Sequence, residues 1–220
     1  NKQSKVKDVS FQGQTAQNTT VLPSQVTTDF NVQVPQAYTK LGVEKMANGQ
    51  EVHCYKLSNG QRVMIAPMKS PKTYVNTYVN TGAMNEKDDE RGISHFTEHM
   101  AFNGTSGTDG YMKLGVGDVF AKVAEMGGET NASTGMAETN YTIGIPQFDK
   151  DDLETAVAMQ ASMMNNLEMS DAMVDKEHGP VCSEINMYSD FMPEKANNIA
   201  KKNLYNISST SEDLVAGRVD

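Results

Sequence analysis

Hydrophobic and polar positions change their period repeatedly along this chain. From residue 51 to 67, "EVHCYKLSNGQRVMIAP" sets two β-rich runs on either side of Asn59-Gly60. Asn-Gly supplies the positive φ that both central positions of a tight turn need, so a β-hairpin is predicted here. "TYVNTYVNT" then puts Val75, Thr77 and Val79 on one face and Tyr74, Asn76, Tyr78 and Asn80 on the other. A period of two predicts a strand. In "VGDVFAKVAEM" the period lengthens, and Val116, Val119, Phe120 and Val123 form a helical stripe that stops at Gly127-Gly128. Paired glycines are a good C-terminal cap. "TNYTIGIP" alternates again, with Thr139, Tyr141, Ile143 and Ile145 on one face, and ends at Pro146. Asp149 is placed to cap a long helix whose stripe is Leu153, Ala156, Val157, Met163, Met164 and Leu167. Helical character continues over residues 171–205, with an interruption predicted at Gly179-Pro180. Strands, helices, strands and then long helices predict an α+β fold, a largely antiparallel sheet with helices packed on one face.

Residues 1–37 change the picture at one end. They are rich in Gln, Asn, Thr and Ser, without a period, and predict a polar, partly disordered arm. Residues 38–220 remain as the folded domain, with the first clear element signals near residue 50. A length of 220 residues suits one large domain or two small ones. With 38% hydrophobic and 21% charged residues, the composition is that of a soluble globular protein. The 15 methionines cluster in the helical segments, where core filling is their commonest use. A net charge of −9, with no Lys/Arg-rich patch, argues against nucleic acid or an anionic membrane surface as partner. No apolar run approaches the roughly 18 residues of a membrane span, so no transmembrane segment is expected. Cys54 and Cys182 are too few for a disulfide framework. The chain opens at Asn1 without an initiator Met or an apolar signal core, as expected after removal of a targeting segment. The polar arm suits a loose terminus best, and secondarily the stalk of an exported or cell-envelope protein.

The candidate chemistry lies in "GISHFTEHMAFNGT", residues 92–105. Only four histidines occur in the chain, yet His95 and His99 stand four apart with Glu98 beside the second. A helix turns about 100° per residue, so the two imidazoles share a face one turn apart, with Glu98 about 60° to one side. Such a pair reaches one zinc ion at about 2.0–2.1 Å, and a neighbouring carboxylate can take a proton from water that the metal acidifies. Chance alone would place this five-residue pattern in such a chain about three times in a thousand. A catalytic zinc usually has three protein ligands, so a third is expected elsewhere. "DKEHGPVCSEINMYSD" offers Glu177 and Glu184, two helical turns apart on one face, and His178 as a rival. One carboxylate could bind metal while the other supports the site from behind.

At this point the chain resembles the inverzincins, the insulinase/pitrilysin-type zinc peptidases, whose signature is HxxEH. The likeness extends over roughly residues 50–190, through "LSNGQRVMIAP", "TGAMNEKDDERGISHFTEHMAFNGT", "MGGETNASTGMAETNYT" and "KEHGPVCSEINM". The resemblance implies that His95, His99 and Glu184 bind one zinc ion. By position it makes Glu98 the general base and Glu177 a supporting carboxylate of the catalytic site. It implies that Asn131 and Ala132 lie on an edge strand that holds the substrate backbone. The physics suits that role, since a peptide added as a strand gains main-chain hydrogen bonds with little demand on its sequence. The implied activity is zinc-dependent endopeptidase cleavage of unfolded peptides; the alternative within the fold is a non-catalytic peptide-binding subunit. The implied architecture is half of a clamshell, closed by a second peptidase-fold domain or subunit. Two departures stand out: His178 replaces the family's usual arginine, and Gly179-Pro180 falls between the two glutamates. A kink there would displace Glu184 from the histidines.

Overall fold

A computed structural model describes residues 38–190, 192–205 and 215–217. The polar arm predicted for residues 1–37 lies outside the described residues. Two compact units are present, one within residues 38–70 and the other from residue 71 onward.

The first unit is a meander of three antiparallel strands, β1 (Tyr38–Lys45), β2 (Glu51–Leu57) and β3 (Arg62–Ile65). The expected hairpin is β2 and β3, with Asn59-Gly60 in the turn and Gly60 at φ 91°. The Asn59 side chain steadies that turn by accepting from the Gln61 N–H at 3.0 Å. β1 was not signalled in the sequence, because most of its side chains are exposed on both faces and no alternation marks it.

In the second unit, β4 (Thr73–Val79), β8 (Thr139–Ile145) and β7 (Glu129–Thr134) form an antiparallel sheet in that order, which leaves β7 at an edge. Between them in sequence come α1 (Ile93–Met100), the two-residue strands β5 (Thr105–Ser106) and β6 (Lys113–Leu114), and α2 (Asp118–Glu125). α3 (Lys150–Asn165), α4 (Asp171–Asp190) and α5 (Met192–Tyr205) follow β8. The inward face of β8 matches the alternation: Thr139, Tyr141, Ile143 and Ile145 are all buried. Tyr141, Ile143 and Ile145 pack against Val119 and Val123 of α2 and Ala156, Met159 and Met163 of α3. Gln160 of α3 is a buried amide in this region. Its amide donates to the carbonyls of Val75 at 2.9 Å and Tyr141 at 3.1 Å, and accepts from the Thr77 hydroxyl. A buried amide satisfied on both ends ties α3 to the sheet without an unpaired polar atom.

Both expected caps form. The Asp149 carboxylate accepts from the N–H groups of Asp151 and Asp152 at the start of α3. At the end of α2, Gly127 N–H reaches the Ala124 carbonyl and Gly128 N–H the Val123 carbonyl, with Gly127 at φ 66°. That double bond pattern needs a left-handed residue, which glycine supplies without strain. The stripes predicted for α2 and α3 are only half buried: Val116, Phe120 and Val157 are exposed. Phe120 instead stacks on Phe102, ring centroids 5.0 Å apart.

The interruption predicted at Gly179-Pro180 does not occur. α4 runs unbroken from Asp171 to Asp190 with Pro180 inside it. Pro180 removes the N–H that would bond the Lys176 carbonyl, but Lys176, Gly179 and Pro180 are all exposed, where solvent is at hand to replace a lost donor. The Gly179 carbonyl is taken by the Ser183 hydroxyl at 2.9 Å. Among the described residues, no helix is long and apolar enough to cross a membrane.

Candidate metal centre

α1 carries the His/Glu cluster, and a buried carboxylate outside the helix fixes its start. Glu86 accepts from the N–H of Gly92 at 3.0 Å and of Ser94 at 2.7 Å. Those are orphan donors of the first turn, and a negative charge there also suits the helix dipole. Gly92 has φ 93°, and a Cβ on it would meet the Ala216 carbonyl oxygen at 2.7 Å. Position 92 therefore accepts glycine alone. α1 and α4 meet through a thin apolar strip, Phe96 against Val181, Ile185 and Ala216. Val181 and Ile185 share a face of α4 with Glu177 and Glu184. Packing that strip therefore brings both carboxylates to the histidines, and the unbroken run of α4 keeps them in register.

His95 Nε2 and His99 Nε2 are 3.2 Å apart, with the rings nearly perpendicular. Glu184 Oε2 is 3.1 Å from His99 Nε2, and Oε1 is 3.7 Å from His95 Nε2. Donors held about 2.0–2.1 Å from a tetrahedral ion lie roughly 3.3–3.4 Å from one another. The three groups thus have the spacing of a zinc triad. His178, the rival ligand, is not among them; it is exposed, with its ring nitrogens 3.6 and 3.7 Å from Cys182 Sγ.

The chemistry of the donors points the same way. Glu177 Oε1 lies 2.9 Å from His99 Nδ1. A carboxylate accepts, so Nδ1 carries the proton and Nε2 presents its lone pair to the Glu184 carboxylate, another acceptor. Acceptors facing one another at this distance repel unless a proton or a metal ion lies between them. His95 is buried, and its Nδ1 has no hydrogen-bond partner among the described residues. Its burial is therefore compensated only through Nε2, on the cluster side. The residues present fit a divalent metal.

Glu98 is half-buried and not part of the triad. Its Oε2 accepts from the Thr134 hydroxyl at 2.5 Å, at the end of β7. Tyr141 lies close enough that the Glu98 charge, after burial itself, helps push the phenol above its ordinary pKa, which keeps it neutral. Asn131 and Ala132 lie in edge strand β7, which pairs only with β8 and has its other side unpaired among the described residues. A groove lined by Asn131, Ala132, Ser133, Asn140 and Thr142 runs along it.

Sequence reasoning missed Thr134, Asn103 and Glu86. Thr134 stands inside "MGGETNASTGMAETNYT", three residues after Asn131, and Asn103 continues the four-residue spacing of the histidines, so both left a trace. Glu86 left none, because a loop carboxylate gives no sign of which helix start it will reach.

With this geometry in place, comparison with known proteins identifies the class. Residues 62–216 match the family described as insulinase, peptidase family M16. The chain belongs to that family and is an M16 peptidase domain. It is 33% identical over 150 residues to the "Probable zinc protease PqqL" of Escherichia coli strain K12, covering 67% of this chain and 15% of that protein. It is 27% identical over 135 residues to bovine "Cytochrome b-c1 complex subunit 1, mitochondrial", covering 61% of this chain and 26% of the other. The crystal structure of the periplasmic protease PqqL from Escherichia coli superposes with a TM-score of 0.62 at 24% identity, over 79% of this chain and 18% of that one. This likeness carries the α+β architecture. The chain thus spans well under two thirds of the relatives it matches.

Proposed function

We propose that this chain is the zinc-binding domain of a zinc-dependent endopeptidase that hydrolyses peptide bonds in unfolded peptides. The observation that carries the reading is the convergence of His95 Nε2, His99 Nε2 and the Glu184 carboxylate, with ligand atoms within 4.8 Å of one another, beside a carboxylate that is not needed as a ligand. These three residues hold one zinc ion. When bound, zinc makes water more acidic and the scissile carbonyl more electrophilic.

The chain's own residues do the rest. Glu177 orients His99 through Nδ1. Glu98 is the general base: it takes a proton from the attacking water and returns it to the leaving amine. Thr134 holds one oxygen of Glu98, so the proton-accepting oxygen keeps a fixed direction. Asn131 and Ala132 dock the substrate as an added strand on β7, which explains a preference for unfolded chains, since only an extended backbone offers a free edge. A second peptidase-fold domain or subunit supplies the opposite wall. Likeness to a protease described as periplasmic supports an exported or cell-envelope location.

The alternative is a peptide-binding subunit that does not cleave. One observation favours it: a relative is named as a subunit of the cytochrome b-c1 complex and not as a protease. Glu98 weighs against it, because binding alone requires no base. In the full-length protein, Glu98→Gln should keep zinc and lose most turnover of unstructured peptides. Loss of zinc on that substitution would make Glu98 structural, and peptide binding without turnover in the wild type would establish the binding subunit.

A further inference from the structure

His95, His99 and Asn103 stand at positions i, i+4 and i+8. The first two are on α1, and the third lies just past its end, where its N–H still bonds the Met100 carbonyl at 3.1 Å. Asn103 is buried, and its Nδ2 donates to Glu177 Oε2 at 2.5 Å. Glu177 is also buried, and its other oxygen takes the His99 Nδ1 proton at 2.9 Å. Each oxygen of this carboxylate therefore has one donor, on opposite sides of it, and the group cannot turn without breaking a bond.

We propose that Asn103 is a positioning residue of the metal centre: it locks the Glu177 carboxylate, and through it fixes the His99 tautomer and ring direction that present Nε2 to the metal. The proposal rests on the reading of His95, His99 and Glu184 as the metal ligands. The physical case is a matter of donors. Without the Asn103 amide, Glu177 Oε2 is a buried charged oxygen with no partner, which is costly. The carboxylate would then turn towards solvent and release Nδ1. A freed His99 exchanges between tautomers, and the one with its proton on Nε2 has no lone pair on the side that faces His95 and Glu184. Aspartate at 103 would place a second carboxylate against the first, so the amide is required for its charge as well as its shape. Partners behind a metal ligand typically govern affinity by about 10–100-fold.

The test measures zinc affinity by competition with a coloured chelator, on the full chain, for wild type, Asn103→Leu, Asn103→Ser, Glu177→Gln and the double variant Asn103→Leu/Glu177→Gln. Leucine matches asparagine in size and lacks the donor; serine serves where leucine does not fold, as judged by circular dichroism of the zinc-free protein. Asn103→Leu or Asn103→Ser should weaken zinc binding by about 10-fold or more. In the Glu177→Gln background the further loss should vanish, because the residue acts through that carboxylate. Nitrogen-15 NMR of the zinc-free protein should show one His99 tautomer in the wild type and a mixture in the Asn103 variants. A merely structural role would leave that signature unmoved. Equal zinc affinity in wild type and both Asn103 variants, or equal losses in the two backgrounds, would overturn the assignment while leaving the metal centre intact. Absence of zinc binding in the wild type would remove the metal reading itself, and this proposal with it.

Discussion

Two helix interfaces in the second unit are built on opposite principles. Where α3 lies on the sheet, Ala156, Met159 and Met163 meet Tyr141, Ile143 and Ile145, and the one buried amide, Gln160, is satisfied at both ends. Where α4 meets α1, the apolar contact is a thin strip, and beside it His95, His99, Asn103, Glu177 and Glu184 crowd together. The first interface is stable by burial alone. In the second, acceptors face one another, so its order depends on what sits between them. Stability in this unit is therefore supplied by one region, and the other is free to hold a geometry that is costly when empty.

That contrast gives outcomes of decreasing size. Met163→Ala should destabilise the protein by about 2–5 kcal/mol, read by denaturant unfolding, and leave zinc stoichiometry unchanged. A simultaneous loss of zinc would mean that the two interfaces are not independent. Glu184→Gln should do the converse, weakening zinc by about a hundredfold or more with little change in the zinc-free unfolding midpoint, while His178→Ala leaves zinc binding alone. The reverse order of Glu184 and His178 would place the third ligand six residues, nearly two turns, back along α4. Glu86→Ala should cost about 1–2 kcal/mol, since it uncaps two N–H groups of the histidine helix; hydrogen exchange of the α1 amides would show whether the loss is local. The smallest effect concerns Tyr141. Its pKa is raised in the folded state above the ordinary 10.0, so the neutral phenol contributes stability that is fully present below that value and lost as pH rises past it. Tyr141→Phe should therefore change stability little near neutrality and flatten its fall above pH 10, followed by thermal unfolding across the alkaline range.

How much of this was legible beforehand follows the same division. β8 could be read in full because alternation of Thr139, Tyr141, Ile143 and Ile145 reports burial directly. The caps at Asp149 and Gly127 were legible because each is a local geometric need met by one residue type. Phe120 was read as part of the α2 stripe but lies exposed against Phe102, because a stripe says which positions share a face and not how far that face is covered. The kink at Gly179-Pro180 was wrongly expected for a related reason: proline is costly in a helix when the carbonyl it orphans is buried, and burial was not visible. At the metal centre, the local pair His95 and His99 stood out by spacing. By spacing alone Glu177 and Glu184 were visible as carboxylates two turns apart, and the family resemblance added their roles; packing of Phe96 on Val181 and Ile185 is what brings them to the histidines. Asn103 and Thr134 act on carboxylates 74 and 36 residues away, a relation that sequence order does not display.

The central claim is that His95, His99 and Glu184 form one metal centre joined across α1 and α4. Anomalous scattering at the zinc absorption edge, from crystals of the protein loaded with zinc, tests it most directly. The account predicts one strong peak per chain, within bonding distance of His95 Nε2, His99 Nε2 and a Glu184 carboxylate oxygen. A single peak held instead by His178 and Cys182, or no peak between α1 and α4, would contradict it.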